Sequence, residues 1–74
     1  MDVTYEYYLN QIKSNPNKNH YRVRRFKKAI EEHISGLRLT AYKKRGTFVA
    51  QYCNAEANRY ERLLKNALEV EHHP

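Results

Sequence analysis

Three features that mark large classes of protein are missing from the sequence. Cys53 is the only cysteine, so no internal disulfide framework can form, which is typical of a reducing, cytoplasmic compartment. No run of about 18 apolar residues occurs, which predicts that the chain does not span a membrane. Met1 is followed by Asp2 and a polar, tyrosine-rich stretch, so no secretory signal segment is expected. At 74 residues the chain is predicted to form a single domain with a thin core.

Groups of residues that could carry catalysis are also scarce. The histidines are scattered at the positions His20, His33, His72 and His73, and no second thiol accompanies Cys53. A zinc site needs about four ligands in a closed set, and two adjacent histidines near the end of the chain do not supply one. Cys53 falls on a predicted apolar stripe and is expected to be a small core residue. The sequence therefore predicts a protein that is not an enzyme, with no metal and no cofactor.

Positive charge is abundant and concentrated in the middle of the chain. Residues 20–46 hold nine basic and two acidic side chains, a net charge of +7, whereas the whole chain has +6. Such a block attracts an acidic partner, most commonly nucleic acid, and arginine binds two phosphate oxygens at once. Tyrosines beside the block can stack on bases. The predicted nucleic-acid-binding residues are Arg22, Arg24, Arg25, Lys27 and Lys28 (the first cluster), Lys43, Lys44 and Arg45 (the second cluster), and Arg38, Tyr21 and Tyr42.

Hydrophobic spacing predicts an all-α fold, a small bundle of three main helices. The helices are expected at about 4–14, 20–35 and 47–71, with caps at Thr4 and Asn19, an end of the second helix at Gly36 and a start of the third near Thr47. A short fourth element is predicted near 38–45, and residues 72–74 are expected to be a frayed tail. The alternative is an α+β fold with a β-hairpin at about 38–52. The predicted core residues are Leu9, Ile12, Val23, Phe26, Ile30, Ile34, Leu37, Tyr60, Leu63, Leu64 and Ala67.

The second predicted helix carries its charges against its own dipole. Its N-terminal half contains the first cluster, and Glu31 and Glu32 follow in its C-terminal half. The helix dipole favours the reverse order by about 0.3–1 kcal/mol for each well-placed charge. This arrangement favours an intermolecular role for the first cluster. We therefore expect a non-enzymatic regulator of gene expression that binds nucleic acid, DNA rather than RNA, and no membrane.

A protein partner is the alternative, because residues 1–19 have no net charge and are rich in tyrosine. Tyrosine is enriched at binding surfaces, and Tyr5, Tyr7 and Tyr8 cannot all face one core from one short helix. Val3, Tyr5, Tyr7 and Tyr8 are then the predicted protein-binding residues. In size and charge the chain resembles small phage-encoded modulators of host transcription. That resemblance implies binding to an acidic surface of a larger machine such as host RNA polymerase, with the basic face assisting.

Overall fold

A computed structural model describes residues 3–69, and these form three α-helices. Helix α1 spans Val3–Ser14, α2 spans Tyr21–Lys43 and α3 spans Phe48–Leu68. The all-α prediction is confirmed for this part of the chain, which contains no β-strand, so the alternative hairpin over 38–52 is not formed. The predicted frayed tail at 72–74, with His72 and His73, lies outside the described residues.

Helix α2 is longer than the sequence predicted. It continues through Gly36 to Lys43, so the predicted end at Gly36 is wrong and the short fourth element near 38–45 is not confirmed. Glycine inside a helix costs about 1 kcal/mol relative to alanine. Leu37 and Ala41 extend the apolar stripe of α2 and pack into the core, and this burial outweighs that cost. The chain turns instead at residues 44–47, where Gly46 adopts a φ of 85°.

The helix ends are closed by side chains. His20 Nδ1 accepts a hydrogen bond from the Arg22 N–H at 3.1 Å, so His20 caps α2 and the predicted cap Asn19 lies one residue outside. Thr47 Oγ1 accepts a hydrogen bond from the Ala50 N–H at 3.3 Å and caps α3, near the start that the sequence predicted for this helix. Thr4 is not a cap, because α1 already includes Val3. Lys18 Nζ donates to the Ile12 and Lys13 carbonyls, which the end of α1 leaves unpaired.

The core lies where all three helices meet. Its buried residues are Ile12, Val23, Ile30, Ile34, Ala57, Tyr60, Leu64 and Ala67, and Tyr5, Tyr8, Leu9, Phe26, Leu37 and Leu68 pack against them. A second, smaller cluster of Ala41, Ala50 and Cys53 lies between α2 and α3 near their connection and contains no residue of α1. The molecule is elongated, 46 × 25 × 19 Å. Helices α2 and α3 form a helical hairpin. We call its closed end, residues 39–52, the hairpin tip; it comprises the last residues of α2, the turn and the first residues of α3.

Candidate nucleic-acid interface

The first cluster lies around the solvent side of the N-terminal half of α2. Four of its five members are exposed, and Lys27 is half-buried. Lys27 lines a cleft between α2 and α3 together with Glu31 and Glu61. With 3.6 residues per turn, the five side chains spread over roughly 220° of the helix circumference. The cluster therefore covers a broad convex surface rather than one narrow face.

The cations of the first cluster are not neutralised by carboxylates within residues 3–69. The two ion pairs found in that part of the chain are formed by Arg38 and Arg59. Lys27 and Lys28 stand four residues before Glu31 and Glu32, a spacing that permits pairs on a helix. Neither pair forms among the described residues. Arg24, Arg25 and Lys28 thus combine exposure with charge that remains available to a partner.

Tyr21 and Arg22 interact with each other at the start of α2. Arg22 Nε donates a hydrogen bond to the Tyr21 hydroxyl at 3.4 Å. This hydrogen bond, assisted by the charge of Arg22, lowers the pKa of the Tyr21 phenol and raises the pKa of the guanidinium. The Tyr21 ring also stacks on His20 with centroids 4.8 Å apart and remains 62% exposed. The pair presents a ring and a cation side by side to solvent.

Arg38, a predicted nucleic-acid-binding residue, forms its contacts within the protein. Its Nε donates to Glu61 Oε1 at 3.2 Å, and its Nη2 contacts the same oxygen and donates to Asn58 Oδ1 at 3.1 Å. Both acceptors belong to α3, so Arg38 links α2 to α3 across the surface. Arg38 is therefore paired with a carboxylate, unlike the cations of the first and second clusters within residues 3–69.

The second cluster lies at the hairpin tip. Lys43, Lys44 and Arg45 are all exposed, and none forms an ion pair within residues 3–69. The Arg45 guanidinium lies over the Tyr42 ring, 5.0 Å from its centroid, and donates to the Tyr42 carbonyl at 3.2 Å. A cation over an aromatic face is attracted by the ring quadrupole. Tyr42 and Arg45 are thereby held together at the surface.

Arg25 of the first cluster and Lys43 of the second lie on the same side of α2, but the two clusters are not continuous. Eighteen residues separate Arg25 from Lys43, which is five turns and about 27 Å along the helix. On this side, Glu32 and Leu39 stand between them and are exposed. The two clusters are thus separate patches of positive charge at the two ends of one helix.

The tyrosines of α1 mostly pack inward. Tyr5 stacks on His33 with centroids 4.1 Å apart, and Tyr8 stacks on Phe26 at 4.7 Å. Tyr7 is 53% exposed, although its ring edge contacts Tyr8 and Phe26. Val3 begins α1, and its side chain lies outside what the structure describes. The rings at the predicted protein-binding surface therefore serve chiefly to attach α1 to α2.

Exposed apolar side chains concentrate at the hairpin tip, where the sequence indicated only cations and Tyr42. Phe48 is 87% exposed and Tyr52 66%, and Leu39, Tyr42 and Val49 are also exposed. The apolar periodicity of α3 also predicts a buried Val49, but its side chain is 48% exposed. The periodicity contained the signal for Phe48: the buried residues Ala50, Cys53 and Ala57 define a face that points away from position 48.

Comparison with protein-family models, with curated proteins and with solved structures finds no match to the chain. None of the three helices is long and apolar enough to cross a membrane. Within residues 3–69, no group of three or more His, Cys, Asp or Glu side chains could hold a metal ion.

Proposed function

We propose that this protein is a non-enzymatic, cytoplasmic regulator of gene expression that binds nucleic acid through the exposed cations of α2. One observation carries the proposal: Arg24, Arg25 and Lys28 are exposed and have no ion pair to a carboxylate within residues 3–69. Arg24 lies in the first turn of α2, at the positive end of the helix dipole, where a cation costs free energy. A polyanion that binds there offsets that cost.

Phosphate contacts account for affinity in this proposal, and base contacts are not required at the first cluster. Each neutralised phosphate releases condensed counterions. A plot of the logarithm of the binding constant against the logarithm of the salt concentration therefore has a slope of about −0.9 for each phosphate contact on duplex DNA. Arg24, Arg25 and Lys28, with Lys43 on the same side of α2, could contact about four phosphates. We therefore expect a slope of about −3 to −4.

A charge-reversal pair tests this proposal. Arg24→Glu with Arg25→Glu lowers the net charge from +6 to +2, and Arg62→Glu with Lys65→Glu on the exposed side of α3 lowers it equally. Fluorescence anisotropy with a labelled duplex of random sequence, between about 50 and 200 mM salt, measures affinity and slope. The α2 variant should lose most of the affinity and of the salt slope, and the α3 variant should retain most of both. Equal losses, or no binding by the wild-type protein at low salt, would refute the proposal.

The alternative of a protein partner held by the tyrosines of α1 has weaker support. Tyr5 and Tyr8 already stack on rings of α2, and Tyr7 alone of the three is exposed. If nucleic acid fails to bind and RNA polymerase is captured from a lysate instead, Tyr7→Ala should abolish that capture. This result would favour the alternative over the nucleic-acid proposal.

A further inference from the structure

The most exposed large apolar side chain of the described residues is at the hairpin tip. Phe48 is 87% exposed at the first position of α3, directly after the cap Thr47. Tyr52 follows one turn later, 66% exposed, so the two rings are neighbours on the same side of α3. Single exposed apolar residues are ordinary, but a group of them marks a binding surface. Leu39, Tyr42 and Val49 are also exposed at the hairpin tip, on other parts of its surface.

The charged residues closest in sequence to Phe48 are basic. Between Glu32 and Glu56 the chain contains no acidic residue and four basic ones, Arg38, Lys43, Lys44 and Arg45. Arg38 is paired with Glu61, which leaves the second cluster as the cations closest in sequence to Phe48. Glu6 and Glu56 line a cleft shared with Tyr52, and Phe48 does not line that cleft. The partner that fits the tip must therefore offer negative charge together with flat apolar surface.

A single strand of nucleic acid offers both. Its bases stack on aromatic side chains, and its phosphates bind the lysines and arginines beside them. An amphipathic helix needs an apolar groove, but a ring that is 87% exposed stands out from the surface rather than lining a groove. A second copy of the chain would bring two second clusters together, which like-charge repulsion opposes.

We propose that the hairpin tip binds unpaired bases of a single-stranded nucleic acid, with Phe48 and Tyr52 as stacking surfaces and Lys44 and Arg45 on the flanking phosphates. This rests on the proposed nucleic-acid function and adds the form of nucleic acid that the tip selects. The first cluster contacts phosphates of either form. The hairpin tip adds a preference for single strands, because their unstacked bases can stack on its rings.

Tryptophan fluorescence gives a direct test, because the chain contains no tryptophan. The variant F48W places the sole indole at the tip, and Y7W places it on exposed α1 as the matched control. Oligo(dT) should quench the emission of F48W strongly and that of Y7W little, since stacking on a base quenches indole. A duplex of the same length should quench F48W less than oligo(dT) does.

Affinity measurements complete the test. Phe48→Ala should weaken oligo(dT) binding by roughly ten- to one-hundred-fold, the loss expected for one stacked base, and should change duplex affinity less than twofold. Phe48→Trp should retain the affinity. Because Phe48 is almost fully exposed, circular dichroism should show unchanged melting for these variants.

The outcomes separate this inference from the proposed function. Binding that depends on Arg24 and Arg25, with no effect of Phe48→Ala and no quenching in F48W, would overturn the role of the tip alone. Absence of binding to both forms of nucleic acid would overturn both proposals. Equal weakening of duplex and oligo(dT) by Phe48→Ala would also overturn the tip's preference for unpaired bases.

Discussion

The imidazole of His33 stacks on the ring of Tyr5, with centroids 4.1 Å apart and planes within 16° of parallel. The same imidazole meets the ring of Tyr60 nearly at a right angle, with centroids 5.0 Å apart. Tyr5 belongs to α1, His33 to α2 and Tyr60 to α3. One histidine at the boundary of the core therefore joins all three helices.

Loss of the His33 ring should destabilise the fold. Aromatic pairs contribute about 0.5–1.5 kcal/mol beyond the area they bury, and His33 forms two such contacts. We expect His33→Ala to lower the free energy of unfolding by about 1–3 kcal/mol, measured by urea denaturation followed by circular dichroism. His33→Phe retains a planar ring and should recover most of the loss. Equal stability of His33→Ala and wild type would show that the stack contributes nothing.

The two glycines should respond in opposite ways to substitution by alanine. Gly36 lies inside α2, without a positive φ, and a Cβ there would meet nothing within 4 Å. Gly36→Ala should therefore raise stability by about 0.5–1 kcal/mol. Gly46 has a φ of 85°, where a Cβ costs about 1–2 kcal/mol, so Gly46→Ala should lower stability. Thermal melting of both variants checks the signs, and a destabilised Gly36→Ala would contradict the assignment of α2 as one continuous helix.

The helical fold was predictable because its apolar stripes hold their phase over many turns. The periodicity from Val49 to Ala67 predicts a helix that starts near Thr47, and the structure confirms the start. Cys53, Ala57, Tyr60, Leu64 and Ala67 are buried as predicted, whereas Val49 is exposed and Leu63 is only half-buried. Gly36 misled the prediction, since glycine after an apolar stripe commonly ends a helix. The small side chain of Ala41 gave no strong signal that α2 continues. Its burial depends on α3, which periodicity within α2 cannot show.

The sequence predicted which charged and aromatic residues belong to the site, but not which of them the fold leaves unpaired and exposed. Charge counting located both clusters, but the pairing of Arg38 with Glu61 joins residues far apart in sequence and depends on how α2 packs on α3. The sequence predicts exposed rings on α1 as well as at Tyr21 and Tyr42, but Tyr5 and Tyr8 stack on rings of α2. Which rings of α1 remain exposed is decided by their tertiary neighbours on α2, which periodicity within α1 cannot show, whereas the periodicity of α3 does point Phe48 away from the core.

The pairing of Arg38 with Glu61 predicts which cations matter for binding. Removal of an arginine that already pairs with a carboxylate should lower the affinity for nucleic acid little. Removal of an unpaired arginine should abolish one contact to a phosphate. We expect Arg38→Ala to change duplex affinity less than about threefold and to keep the salt slope, while Arg25→Ala reduces the slope by about 0.9. Glu61→Gln should release Arg38 and raise affinity. An Arg38→Ala effect equal to that of Arg25→Ala would mean that the ion pair opens when nucleic acid binds.

The thiol of Cys53 should report whether the hairpin tip stays closed. Cys53 is 6% exposed and packs with Ala41 and Ala50 between α2 and α3, so a thiol reagent should react with it only after local opening. Five residues separate it from Phe48, which places the two side chains about 140° apart around α3. Phe48→Ala should therefore leave the slow rate of reaction with Ellman's reagent unchanged, whereas Ala50→Gly, which removes a packing partner of the thiol, should increase it. Rapid labelling of the wild-type protein would show instead that the tip opens readily, and the loss of nucleic-acid affinity in a tip variant could then arise from opening rather than from a missing ring.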